Sequence, residues 1–200
     1  MRLDQMRKDI LKEVVNIGAG NAAAAFSEMV DEEVKMTVPA VELLRLEELP
    51  AVTGDEEDFI ACVMLAFEGQ ISGKILLVLE MDNVEKILKL IFGTEELPEE
   101  DIQHSALNEL GNILSGAYLK AINTFTELEL SQEVPVSAYD MAGAILSSSI
   151  IDYGQSEEYI LLLETEFILA KEKIELYYFF IPEKESLGIL FERLERDNGA

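Results

Sequence analysis

Apolar residues recur at helical spacing from about residue 4 to residue 30, with Ile10, Leu11, Val14, Val15 and Ile17 forming a stripe that predicts a helix with one face to bury. Gly18-Ala-Gly20 falls in the middle of that stretch and weakens the helix, so the pattern fits one bent helix or two in tandem. Residues 34–38 then read as a short strand running into Pro39. Residues 41–46 continue it at a sheet edge, where a missing N–H is tolerated. Residues 50–58, with Gly54 and an acidic run, read as a loop. Two dense β-rich runs, 59–67 and 71–79, are joined by Glu68-Gly-Gln as a hairpin. A helix capped by Asp82 and running to Phe92 follows, with Val84, Ile87, Leu88 and Ile91 on one face and Gly93 as its stop.

The same order then returns. After the acidic linker 94–101 comes a helix over 102–123 burying Leu107, Leu110, Ile113 and Leu114. Strand signals follow at 127–136, and 139–151 is open between a strand and a small helix capped by Asp140. The runs 159–170 and 173–181 mirror the earlier hairpin, and a closing helix over 183–196 turns Leu187, Leu190, Phe191 and Leu194 inward. Hairpins imply antiparallel pairing. The expected fold is therefore α+β: one antiparallel or mixed sheet with helices packed on it, internally duplicated about residues 1–97 and 98–200, pseudo-twofold symmetric, with the first helices of the two halves side by side. At 200 residues a single domain accommodates both halves.

The duplication is sharpest in a sparse polar pattern on those two first helices. Asp9, Glu13 and Asn16 stand at i, i+4 and i+7, and so do Ser105, Glu109 and Asn112, which puts each trio on one stripe of a 3.6-residue helix. A proline follows each asparagine at the same interval, Pro39 and Pro135. One such pattern says little. With this composition it arises by chance in roughly one chain in several hundred, and two copies in register far less often.

Composition narrows the partners. The 40 acidic against 15 basic residues give a formal net charge of −25, which disfavours nucleic acid and anionic membranes, since both draw binding free energy from clustered Lys and Arg. The excess fits a partner with a cationic docking region, a demand for solubility, or a salt-loving host. One cysteine, Cys62, lies in an apolar strand-like run and reads as core; a reducing, cytoplasmic location is expected, with no leader or membrane span in the pattern. With His104 as the single histidine, no histidine metal cluster and no second acid–base imidazole can be built, and His104 reads as a surface or capping residue. Gly18-Ala-Gly-Asn21 lacks the third glycine and the preceding strand of a phosphate loop.

The chain resembles the CheC family, phosphatases of phosphorylated CheY in bacterial and archaeal chemotaxis, whose signature is Asp/Ser-x3-Glu-x2-Asn-x22-Pro. Both copies match it at all four positions, and the surrounding Asn16-Ile-Gly-Ala-Gly-Asn-Ala-Ala and Asn108-Glu-Leu-Gly-Asn-Ile-Leu-Ser-Gly are also family-like. Two intact copies in a chain without room for a flagellar switch domain fit CheC better than the related CheX, which keeps only the second copy, or FliY, which appends that domain. The resemblance implies that Asn16 and Asn112 position an attacking water and that Glu13 and Glu109 dock on a lysine of a CheY-type response regulator. The regulator would supply its own phosphorylated Asp, Mg2+ and lysine, and the chain itself needs no metal. Asparagine suits such a role because its amide does not ionise usefully but both donates and accepts, and phosphoryl transfer needs chiefly positioning and charge neutralisation. Asp9 and Ser105 cap or tune their helices, and Pro39 and Pro135 occupy equivalent strands. The resemblance also implies a CheD deamidase as a second partner. A monomer is expected, since the duplication is internal. A non-catalytic interaction module, related to flagellar switch proteins and binding phosphorylated regulator or CheD, remains the alternative.

Overall fold

The computed structural model describes residues 5–52, 55–151, 159–169, 172–183 and 185–197. Of the positions named above, Asp4, Gly54 and Ala170 lie outside them. The elements run α1 (Gln5–Val30), β1 (Val34–Arg45), a 3-10 turn (Leu46–Glu48), α2 (Leu49–Val52), β2 (Phe59–Gly69), β3 (Gly73–Glu80), α3 (Met81–Phe92), α4 (Glu100–Thr126), β4 (Leu130–Gln132), β5 (Val136–Met141), α5 (Ala142–Ile151), β6 (Tyr159–Leu169), β7 (Glu172–Pro182) and α6 (Ser186–Asp197).

All pairings are antiparallel, and the strand order is β1-β6-β7-β3-β2-β4, with β5 also on β2. The order is symmetric about the β7–β3 pair. Each half lays its first strand against the hairpin of the other half, β1 on β6 and β4 with β5 on β2. The expected α+β architecture with two related halves is what the chain adopts, and its sheet is antiparallel rather than mixed.

The hairpin strands are apolar at nearly every position because both faces of the sheet are covered. Ala61, Val63, Leu65, Ile75, Leu77, Leu163 and Tyr178 point into a large core shared with α1, α3, α4 and α6. The alternate positions Ile60, Cys62, Leu76, Val78, Leu162 and Phe179 meet Leu49 of α2 and Ala142 and Leu146 of α5 on the opposite face. Cys62 is buried there, and desolvation pushes its thiol up to about 12, which makes it core as its sequence setting implies.

Several local expectations change. α1 is one uninterrupted helix through Gly18-Ala-Gly20: the loss of helix propensity is offset by close packing of Gly18 on Tyr118 of α4. The segment after β1 is not all loop, because Leu49 is fully buried and draws a short helical turn into the second core. Asp82 does not cap α3. Glu80 holds the N-cap position without a side-chain bond, and Asp82 lies in the first turn; Gly93 does end the helix, in the left-handed region at φ 61°. Residues 139–151 are both of the things they resembled, strand to Met141 and helix from Ala142.

The prolines differ most from expectation. Pro39 lies inside β1, at a register shift against β6 between Thr37 and Ala40. Pro135 is in no strand, since it separates β4 from β5. A residue without an N–H cannot continue a ladder, and the two halves absorb that in different ways, as an irregularity on one edge and as a full break on the other.

Candidate active sites

α1 and α4 pack against each other on the same face of the sheet, as the side-by-side expectation required. Their outward stripes carry the motif. Glu13 and Asn16 are exposed on α1, flanked by buried Val14 and Val15; Glu109 and Asn112 are exposed on α4, flanked by buried Leu110 and Gly111. Among the described residues neither Glu13 nor Glu109 has a hydrogen-bond or ion-pair partner. Two carboxylates are thus held on rigid helices with their acceptor capacity unspent.

In the first site the strand irregularity at Pro39 comes up against α1. Lys12 Nζ donates to the Pro39 carbonyl at 3.2 Å. The Asn16 amide is engaged at both ends: Nδ2 donates to the Lys12 carbonyl at 2.7 Å, and Oδ1 accepts from the Val38 N–H at 3.4 Å. Asp9, which sequence placed as a cap or tuning residue, lies past the helix start and accepts from Gln5 Nε2 at 2.8 Å. Lys8, Asp9, Lys12, Pro39 and Glu42 line a hollow of about 280 Å³.

The second site is built differently around the same motif. Ser105 is no cap either: α4 begins at Glu100, and the Ser105 hydroxyl donates back to the Asp101 carbonyl at 3.0 Å. Gln132, the last residue of β4, reaches across to Asn112, its Nε2 donating to the side-chain oxygen at 2.6 Å and to the main-chain carbonyl at 3.1 Å. Pro135 is buried beneath, and Ser105, Asn108, Glu109, Asn112, Gln132 and Pro135 line a hollow of about 450 Å³. Its walls carry carboxylates and amides, whereas the first hollow also carries two lysines. Sequence reading did not single out Lys12, Asn108 or Gln132, since neither a repeat match nor a periodicity marks them.

His104 is half-buried at the edge of this site. Its Nδ1 lies 2.7 Å from the Ser137 hydroxyl, its Nε2 lies 3.8 Å from Glu100, and its ring is 4.6 Å from that of Tyr139, so it ties α4 to β5. Among the described residues no group of three or more His, Cys, Asp or Glu side chains is arranged to hold a metal ion. None of the described helices is long and apolar enough to cross a membrane.

Known proteins share both the scaffold and the motif regions. Residues 6–43, from α1 through Pro39, match the CheC-like family, and residues 61–149, which contain α4 and Pro135, match the family described as chemotaxis phosphatase CheX. The chain is 32% identical over 199 residues to the CheY-P phosphatase CheC of Bacillus subtilis (strain 168), covering 96% of this chain and 95% of the relative. Its fold superimposes on Thermotoga maritima FliY with a TM-score of 0.81 at 20% identity, over 98% of this chain and 100% of that one. A more distant likeness, TM-score 0.50 at 13% identity over 92% of this chain and 100% of the other, is to the CheX–CheY–BeF3–Mg2+ complex from Borrelia burgdorferi. Kinship with a CheY-P phosphatase over nearly the whole chain, together with the match to the chemotaxis phosphatase CheX family, defines a chemotaxis phosphatase. The chain belongs to the CheC-like family.

Proposed function

We propose that this protein hydrolyses the aspartyl-phosphate of a CheY-type response regulator at two sites, with Asn16 and Asn112 positioning the attacking water and Glu13 and Glu109 docking on the regulator's lysine. The observation that carries the reading is the exposure of a carboxylate and a carboxamide three residues apart on each of two packed helices, with both carboxylates unpaired among the described residues. Such a pair offers little chemistry alone. It complements a partner that brings its own phosphoryl group, Mg2+ and lysine, because in phosphoryl transfer the remaining tasks are alignment of water and placement of charge. Kinship with a relative named CheY-P phosphatase CheC supports that choice of partner. The family resemblance extends the proposal to a CheD deamidase as a second partner, and the internal duplication extends it to a monomeric chain.

Phosphate release from a phosphorylated CheY-type regulator, with and without the protein, tests the reading. Asn16→Ala and Asn112→Ala each lower the rate without unfolding the chain, and the double substitution removes nearly all of it, since a positioned polar group is worth about 10²-fold or more. Glu13→Lys and Glu109→Lys weaken docking through like-charge repulsion and raise KM. Full activity of the folded double Asn variant rejects the mechanism. A wild-type protein that binds the phosphorylated regulator but leaves its lifetime unchanged is an interaction module instead.

A further inference from the structure

The second site holds its asparagine in a way the first does not. Gln132 sits on a backbone fastened from two directions: β4 pairs with β2 at Phe67, with Glu133 N–H donating to the Ala66 carbonyl at 2.9 Å, and Asn123 Nδ2 of α4 donates to the Leu130 carbonyl at 2.9 Å. From that anchor Nε2 makes both of its bonds to Asn112. Their chemistry dictates which way round the two amides lie. A main-chain carbonyl only accepts, so the Gln132 atom facing it is the NH2; an NH2 only donates, so the Asn112 atom facing it is the side-chain oxygen. The Asn112 NH2 is therefore turned away from Gln132, and among the described residues it has no partner.

In the first site the corresponding position, 96 residues earlier, is Met36, which has no donor to offer. There each end of the Asn16 amide is tied to its own neighbourhood, Nδ2 to the Lys12 carbonyl of the same helix and Oδ1 to the Val38 N–H, so one of its two NH2 hydrogens is spent on α1 itself. Both of the Gln132 hydrogen bonds given by its NH2 go to Asn112, and its Oε1 makes no hydrogen bond to another described residue.

We propose that Gln132 is a positioning residue of the second site, holding the Asn112 carboxamide with its NH2 presented outward before any partner arrives. It acts through Asn112 and touches neither water nor phosphoryl group itself. This rests on the function proposed above, so its test carries a readout independent of turnover. In the Asn16→Ala background only the second site works, and there Gln132→Ala lowers kcat by about 10-fold while leaving KM unchanged, because orientation is lost but docking is not. Gln132→Glu, nearly the same shape but without the donor, falls at least as far. With alanine already at 112, the Gln132→Ala effect on second-site turnover disappears, as a double-mutant cycle requires of two groups acting as one. In the free protein, NMR of side-chain amides shows Gln132 NH2 signals that exchange slowly with water and shift on Asn112→Ala. Unchanged kcat in the Asn16→Ala, Gln132→Ala protein, full activity of Gln132→Glu, or Gln132 signals indifferent to Asn112→Ala would each overturn the proposal. Should the wild-type protein prove inactive on phosphorylated regulator, the amide signals still decide the clamp, and the failure belongs to the function.

Discussion

Gly18 and Gly20 look alike in sequence and are opposites in the fold. A Cβ on Gly18 would lie 2.6 Å from Cδ1 and 3.1 Å from Cα of Tyr118, so both a ring and a backbone would have to move, whereas a Cβ on Gly20 meets nothing within 4 Å. Overpacking of about 1–3 kcal/mol outweighs the roughly 1 kcal/mol of helix propensity that alanine restores at Gly18, and no such cost opposes it at Gly20. Gly18→Ala therefore lowers the urea midpoint and Gly20→Ala raises it, by about 0.5–1 kcal/mol in the second case. A second residue-scale effect is alkaline. Burial pushes the Cys62 thiol from its ordinary 9.0 and the Tyr118 phenol from its ordinary 10.0 up to about 12 each, the phenol against a lowering from its bond to Thr165. Both are raised in the folded state, so the unfolded chain loses these protons first. Their stabilisation is whole below pH 9 and is lost as pH climbs through about 12, at up to about 1.4 kcal/mol per pH unit for each group. Unfolding titrations at pH 8, 10 and 11 check it, and Cys62→Ala with Tyr118→Phe flattens the decline.

At the scale of elements, the fold depends on how helix and strand ends are set. α3 stops because Gly93 takes φ 61° and returns its N–H to the Lys89 carbonyl. Space for a Cβ is open there, so the cost of Gly93→Ala is conformational alone, about 1–2 kcal/mol, and Gly93→Asn costs less. Thermal melts are the measure, with a drop of about 2–4 °C per kcal/mol for a chain of this size. The prolines show why elements were harder to read than residues. The spacing Asn16 to Pro39 and Asn112 to Pro135 is identical, yet one proline bends a continuous strand and the other divides two. The outcome depends on what the flanking residues pair with. β1 lies along β6 on both sides of its irregularity, whereas β4 and β5 pair with separate stretches of β2.

The whole molecule acts through its charge and its exchange of strands between halves. With 40 acidic residues against 15 basic ones and both motif carboxylates exposed, encounter with a cationic docking surface is electrostatically steered. KM for the phosphorylated regulator should rise with ionic strength as screening shortens to about 8–10 Å, while kcat changes little; a KM flat between low and high salt refutes electrostatic docking. The sequence by itself determined the main helices and hairpins, the repeated motif and the two Glu-Asn stripes, because helical and strand periods record which faces are buried and a repeat in register survives without any knowledge of contacts. It also identified Cys62 as core, from the apolar run around it. Only the tertiary structure decided that α1 runs unbroken through two glycines, that each half completes the other's sheet, and that Asn112 is held by Gln132 while Asn16 is held by its own helix and Val38. Apart from the bond of Asn16 to its own helix, those facts join residues 20 to about 135 positions apart, and long-range contacts of that kind leave no period in the chain: a glutamine at the end of a short strand looks like any other until the fold brings it to an asparagine.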